Sequence, residues 1–247
     1  MTLEEFLGNI SSAALGLSGG VDSAYLLYEA VKNGVDVQPY FIKTAFQPES
    51  ELSDAKKLTD RLGIPLKVIE YDILQNEDVA CNGKDRCYHC KKALFNIIIE
   101  NALKDRYDII FDGTNASDDI DDRPGYKALK ELGVVSPLRE CGITKIQIRE
   151  RAKKAGIETW DKPAYSCLAT RVQRDNVISE GILHRIYHAE EVLSKLGFSD
   201  FRVRQYYEAA KIEVRDEQFD MVISKRDEII EHIKPYFNDI FFDIKGR

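Results

Sequence analysis

The segment Ser18-Gly19-Gly20-Val21-Asp22-Ser23 has the residue types that hold a phosphate. Paired glycines let a backbone come close to a ligand, and the two serines add hydroxyl donors. Asp22 would repel a bare phosphate, so its presence points to a divalent cation between the two. Two other segments carry sulfur. Cys87 and Cys90 form a C-x-x-C, and Cys167 lies in the polar stretch Lys162 to Arg171. A cysteine acts as nucleophile or metal ligand through its thiolate. Five cysteines are an odd number, which with the C-x-x-C suggests metal or redox chemistry rather than a disulfide framework.

The elements around these segments predict an α/β fold. Apolar Ala13 to Leu17 reads as a strand, and the apolar-periodic Ala24 to Val31 as a helix, so the glycine turn opens a helix N-terminus. Free N–H groups and a partial positive charge make such an end a phosphate site. Thr2 and Glu5 are spaced as a capping box for a first helix. Val37 to Ile42 and Leu66 to Tyr71 read as strands, with a helix at Leu52 to Leu62 between them. The order predicts a doubly wound parallel sheet, which binds ligands outside the carboxyl ends of its strands. Thr44 to Pro48 follows the second strand and is a candidate nucleobase wall. Gln75 to Arg86 reads as loop running into the C-x-x-C, with a helix after it. Ile109 to Phe111 reads as strand four, which places Gly113 and Asn115 at the ligand end. The neighbouring aspartates, Asp118, Asp119, Asp121 and Asp122, read as a solvated loop. Val134 to Leu138 reads as a fifth strand, and Thr144 with Gln147 as a second capping box. From about Val172 the pattern changes to a helix (Ser179 to Leu196), strands at Phe201 to Tyr207 and Ala210 to Arg215, helix from Gln218 to Phe237, and a last strand at Asp239 to Ile244. The expected domains are residues 1–171, which bind nucleotide, and residues 172–247, a small α+β substrate or oligomerisation domain.

Composition narrows the class. Of 247 residues, 44% are hydrophobic and 31% charged, which suits a globular chain with a sizeable core. A net charge of −7 argues against a dedicated polyanion surface and so against nucleic acid as partner. No apolar run approaches membrane-spanning length. The start, Met1 to Phe6, reads as an acidic helix rather than a signal peptide. A cytoplasmic protein is the expectation.

The Ser18 to Ser23 string lacks the Gly-Lys-Ser/Thr of a Walker loop. It resembles the pyrophosphate loop of N-type ATP-pyrophosphatases, which split ATP between the α and β phosphates to adenylate a substrate. The wider set, adding Arg86-Cys87-Tyr88-x-Cys90-Lys91, Asp112-Gly113-Thr114-Asn115, Arg123-Pro124-Gly125, Ser136-Pro137-Leu138 and Lys162-Pro163-x-x-Ser166-Cys167-Leu168-Ala169-x-Arg171, resembles the LarE family. These are ATP-dependent sulfur transferases that make the nickel-pincer nucleotide, cofactor of lactate racemase. The resemblance is in order and spans nearly the whole chain. It implies that Mg-ATP adenylates a carboxylate of pyridinium-3,5-biscarboxylic acid mononucleotide, which becomes a thiocarboxylate. It implies ATP binding by Ser18, Gly19, Gly20, Asp22, Ser23, Thr44, Gly113 and Asn115, and catalytic roles for Asp22 and Cys167. A homo-oligomer is the expected assembly.

For the sulfur, the resemblance leaves alternatives. Cys87, Cys90 and Cys167 match relatives in which three cysteines hold a [4Fe-4S] cluster that carries sulfide from an external donor. Cys167 instead matches a sacrificial cysteine that gives up its own sulfur, and a zinc site is a third reading of the thiols. Cys81 and Cys141 read as bystanders. In the C-terminal part, Arg202 and Arg204 match positions that hold the substrate phosphate. Lys211 stands where relatives commonly have arginine, and a lysine lacks the planar fork of arginine. Glu190 and Glu213 match acidic positions that hold a metal in relatives. Three rivals remain: a tRNA thiolase, an ammonia-using synthetase such as NAD synthetase, and a nucleotide-binding regulator without turnover.

Overall fold

Helix α1 (Leu3–Leu7) opens with the expected capping box. The Thr2 hydroxyl accepts from the Glu5 N–H, and the Glu5 carboxylate accepts from the Thr2 N–H. The chain then alternates strand and helix through β1 (Ser12–Gly16), α2 (Val21–Lys32), β2 (Asp36–Lys43), α3 (Glu49–Leu62) and β3 (Lys67–Glu70). A 3-10 turn (Ile73–Gln75) and α4 (Glu77–Ala80) follow, then α5 (Arg86–Lys104), β4 (Ile110–Phe111), α6 (Pro124–Glu131), α7 (Pro137–Glu140) and α8 (Lys145–Lys154). Next come α9 (Glu180–Lys195), β5 (Arg202–Tyr206), β6 (Ala209–Glu213), α10 (Phe219–Ser224), α11 (Arg226–Ile233) and β7 (Asp239–Phe242). This computed structural model describes residues 1–119 and 124–247. Asp121, Asp122 and Arg123 of the segments singled out above lie outside the described residues.

The described residues divide into two compact units. The first joins Met1–Ile73 to Asp85–Lys162, and the second joins Leu74–Lys84 to Pro163–Arg247. The division therefore falls after Lys162 rather than after Arg171, and it sends an early segment to the second unit. Hydrogen bonding gives the reason. Asn82 donates to the carbonyls of Val172 and Gln173, and the Ile178 N–H donates to the Ala80 carbonyl. Arg171 is buried against Glu190 of α9.

In the first unit, the described strands form a parallel sheet of order β3-β2-β1-β4. The two-residue alternation of a strand sends successive side chains to opposite faces. Ala13, Leu15, Val37, Phe41 and Phe111 pack on one face with α1, α2, α3 and α8. Ala14, Tyr40, Ile42 and Ile110 pack on the other with Phe95, Ile98 and Ala102 of α5 and Leu129 of α6. Helices on both faces make the expected doubly wound fold. Close approach of α5 requires Gly16, where an added Cβ would lie 3.0 Å from Phe95 Cζ and 3.3 Å from Ile98 Cδ1.

The second unit is the expected small α+β body. Strand β5 pairs antiparallel with β6, which pairs in parallel with β7. No helix among the described residues is long and apolar enough to cross a membrane.

Three local expectations are corrected. The stretch from Gln75 to Arg86 contains α4 and is not all loop. The C-x-x-C lies inside the first turn of α5 rather than before it. No strand five forms over Val134 to Leu138: Val135 makes a single bridge to Phe111, and Pro137 opens α7. Proline fixes a helical φ and lacks the N–H that a strand ladder needs.

Candidate functional site

The glycine segment joins β1 to α2 at the carboxyl end of the sheet. Its two glycines differ. Gly19 has φ +78, and a Cβ there would collide with the backbone carbonyl of Glu51 on α3. Gly20 has φ −80 and is the N-cap of α2, with only Ser18 Oγ near an added Cβ, at 3.4 Å. The serines brace the turn. Ser23 Oγ accepts from the Ser18 N–H at 3.2 Å, lies 3.1 Å from Ser18 Oγ and donates to the Gly20 carbonyl at 3.3 Å.

Asp22, in the first turn of α2, has a partner that the sequence did not suggest. Lys145, the first residue of α8, lies 2.6 Å from Asp22 Oδ2. Asp22 Oδ1 is buried with no hydrogen-bond partner among the described residues. Burial pushes the Asp22 carboxyl above its ordinary range, the Lys145 ammonium counteracts this, and the nearby Asp118 adds to the rise. A buried oxygen without a donor is costly. A divalent cation would satisfy it, so this carboxylate fits the Mg2+ that the loop implies. Arg149, one turn along α8, also acts on Asp22 and donates to the carbonyls of Trp160 and Lys162 at 2.6 Å each. The only advance sign of Lys145 was the Thr144–Gln147 capping box, which fixes the start of α8.

The segment after β4 lies against this loop. A Cβ on Gly113 would lie 2.8 Å from the Ser23 nitrogen, so glycine there is required by packing whether or not a nucleotide binds. Asn115 is buried and used locally: its Oδ1 accepts from the Ser117 N–H at 2.8 Å, and its own N–H donates to Asp118 Oδ2 at 2.9 Å. Ser136 donates to Asp112 Oδ1 at 2.5 Å, which ties the Ser-Pro-Leu segment to the end of β4. Thr44 is buried as well. Its hydroxyl donates to Gln47 Oε1 at 2.7 Å and accepts from the Phe46 N–H at 3.1 Å. On α3, Asp54 pairs with Lys162, and burial with the nearby Asp54 charge pushes the Glu51 carboxyl up to about 7.

Cys87 and Cys90 share one face of the first turn of α5, since residues three apart are neighbours on a helix. Cys87 is exposed and lies 3.6 Å from the Arg86 guanidinium, and Cys90 is half-buried. Gly125 of α6 is near this turn, where an added Cβ would lie 3.0 Å from Lys91 Cγ and 3.4 Å from the Cys87 carbonyl oxygen.

Cys167 belongs to the second unit and is half-buried at the start of a 3-10 turn (Leu168–Arg171). Its neighbour Ser166 is held by arginines. Arg171 Nη1 donates to the Ser166 carbonyl at 2.9 Å and to its hydroxyl at 2.7 Å, and Arg202 also donates to that hydroxyl. Arg204 Nη1 donates to the Thr170 carbonyl at 2.7 Å. Cys167, Arg171, Arg202 and Arg204 thus gather in one place. Burial and repulsion from Arg171 and Arg204 hold the Arg202 guanidinium below its ordinary pKa, a setting that an anion would relieve.

Both expected metal-binding glutamates are engaged by cations. Glu190 Oε1 accepts from Arg171 Nε at 2.7 Å and from the Val203 N–H at 3.1 Å, and its Oε2 accepts from the Tyr165 hydroxyl at 2.6 Å. Glu213 accepts from Arg204 Nε at 2.7 and 2.8 Å and lies 3.4 Å from Lys211 Nζ. Lys211 also pairs with Asp243 at 2.6 Å. Among the described residues, no group of three or more His, Cys, Asp or Glu side chains could hold a metal ion.

Residues 11–91 match the family model of the tRNA methyl transferase HUP domain. An uncharacterized protein of Synechocystis, slr1717, is 34% identical over 225 residues, covering 90% of this chain and 83% of its own. A second, MJ0830 of Methanocaldococcus jannaschii, is 35% identical over 222 residues, covering 90% and 84%. The pyridinium-3,5-bisthiocarboxylic acid mononucleotide synthase of Lactiplantibacillus plantarum is 27% identical over 215 residues, covering 86% and 78%. The chain belongs to the family of slr1717 and MJ0830, within the PP-loop HUP superfamily, and is a homologue of that synthase.

Proposed function

We propose that this protein is an ATP-dependent sulfur transferase that adenylates a carboxylate of pyridinium-3,5-biscarboxylic acid mononucleotide and converts it to a thiocarboxylate. The observation that carries the reading is the gathering of Cys167, Ser166, Arg171, Arg202 and Arg204 within the second unit. It supports a substrate that is anionic and that meets a sulfur-bearing side chain.

In the first unit, the helix N-terminus with Ser18, Gly19, Gly20 and Ser23 binds the phosphates. Asp22 is the residue that would hold Mg2+, which when bound neutralises phosphate charge. Lys145, which holds Asp22 without ligand, is a second cation for the pyrophosphate. Thr44, Gly113 and Asn115 shape the nucleotide side of the site through their loops. A carboxylate is a poor electrophile, and adenylation gives it AMP as a leaving group. Sulfur attack then forms the thiocarboxylate and releases AMP. Arg202, with Arg204 beside it, takes the substrate phosphate.

The sulfur is proposed to come by way of a [4Fe-4S] cluster on Cys87, Cys90 and Cys167. Thiolates are the ligands such clusters take, and the two cysteines on one turn of α5 suit that donor set. When bound, the group would carry an additional sulfide for transfer. Anaerobic purification with iron and sulfide analysis tests this. A colourless, iron-free protein after reconstitution would refute it and favour sacrifice of Cys167, marked by a loss of about 34 Da, the mass of one hydrogen sulfide.

A tRNA-specific 2-thiouridylase of Pseudothermotoga lettingae, 28% identical over 184 residues, favours a second reading, a tRNA thiolase. ATP-dependent pyrophosphate release tests both. Stimulation by the pyridinium nucleotide supports the proposal, and stimulation by tRNA at physiological salt supports the rival.

A further inference from the structure

Helix α9 carries two histidines that the proposed sulfur transfer leaves unused. His184 and His188 are one turn apart, with their Nε2 atoms 2.8 Å from each other. Their ring centroids are 4.1 Å apart and the planes are at 67°. His184 is exposed and His188 half-buried, so the facing nitrogens are at the surface. The His188 ring is fixed from two sides. Glu191 Oε2 lies 3.2 Å from its Nδ1, and Tyr236 stacks on it at 5.3 Å and 8°.

The carboxylate at Nδ1 sets the tautomer. It keeps the proton on Nδ1 and leaves the Nε2 lone pair aimed at His184. Without an ion, the two Nε2 atoms face each other at hydrogen-bond distance. The same convergence suits a metal, because histidines four apart on one helix face bind an ion together. Two ligands about 2.1 Å from an ion and at right angles to it are about 3.0 Å apart. Rotation of the side chains by a small amount opens the observed separation that far. Both rings would ligate the ion through Nε2 as neutral imidazoles. Glu191 supplies the carboxylate that orients a metal-bound histidine.

We propose that His184 and His188 form a surface site for a divalent late first-row transition ion, with Glu191 as positioning residue and water completing the coordination. Two protein ligands form the site, and all its residues belong to the second unit. An ion there would clamp the turn of α9 that leads into Glu190, the partner of the buried Arg171.

The test is Cu2+ titration of the full chain with its thiols capped by N-ethylmaleimide, followed by electron paramagnetic resonance. One equivalent should bind with a two-nitrogen pattern. H184A and H188A should each weaken binding about tenfold or more and lose that pattern, while H89A on α5 and H232A on α11, at the other two histidines of the chain, leave both unchanged. E191Q should weaken binding but keep two nitrogens. Circular dichroism of the ion-free variants checks that each is folded. Equal affinity and spectra in the wild type, H184A and H188A would overturn the site, as would a signal removed by H89A or H232A. Unchanged affinity in E191Q would overturn the role of Glu191.

Discussion

Replacing Gly19 by alanine should disable the phosphate loop, whereas the same change at Gly20 should not. Alanine at φ +78 costs about 1–2 kcal/mol in backbone conformation alone. Its Cβ would also collide with the Glu51 carbonyl, a backbone atom in the first turn of α3 that cannot swing aside. Overpacking of this kind adds about 1–3 kcal/mol, so the total is about 2–5 kcal/mol. For a chain of this size, each kcal/mol lowers Tm by about 2–4 °C, which gives a fall of roughly 4–20 °C. Relief of the strain would tilt the loop away from the α2 N-terminus, and AMP and pyrophosphate formation should fall about 100-fold or more, the range of lost charge-stabilising contacts. Gly20 has ordinary backbone angles and room for a methyl group, so G20A should cost only about 0.5–1 kcal/mol, as for a poorer N-cap. Thermal melts and pyrophosphate release measured on both variants test the contrast. Equal stability and equal activity in G19A and G20A would refute the reasoning.

Other outcomes follow from the same geometry. K145M removes a charge-assisted bond to Asp22 between partly exposed groups, worth about 1–2 kcal/mol after solvent screening. Pyrophosphate release should fall about 5–30-fold as the second cation for the pyrophosphate is lost, while the Mg2+ concentration needed should fall, because Lys145 no longer competes for the Asp22 carboxylate. Glu51, pushed up to about 7 from an ordinary 4.5, holds a proton in the folded state that the unfolded chain has released. Folding stability should therefore drop as pH rises through that window. E51Q should show no such drop and become the more stable protein at pH 8 in urea titrations. R171M leaves Glu190 buried without its cation. A loss of about 3–5 kcal/mol is expected, read as a lower Tm.

Much of the first unit was legible because its determinants are local. Both capping boxes, Thr2 with Glu5 and Thr144 with Gln147, formed as spaced. Gly63 ends α3 with the left-handed conformation that a glycine stop implies. Local signals failed where a signal was missing or weak. Asp85 caps α5 without a side-chain hydrogen bond, so the C-x-x-C looked like loop although it starts a helix. Val134 to Leu138 has strand-forming residues, but Pro137 turned the segment into α7. The site was legible in its residue types and not in its pairings. Asp22 and Lys145 are 123 positions apart, and no periodicity links them. Asn82 binding across to Val172 and Gln173 moved an early segment into the second unit for the same reason.

The most direct measurement is mass spectrometry of a reaction containing this protein, Mg-ATP, sulfide and pyridinium-3,5-biscarboxylic acid mononucleotide. The account predicts AMP and pyrophosphate, together with a nucleotide heavier by about 16 Da for each carboxylate oxygen replaced by sulfur, and loss of that product in C167A because the cysteine thiolate handles the sulfur. Wild-type formation of AMP and pyrophosphate with no sulfur in the nucleotide, or undiminished thiocarboxylate from C167A, would contradict it.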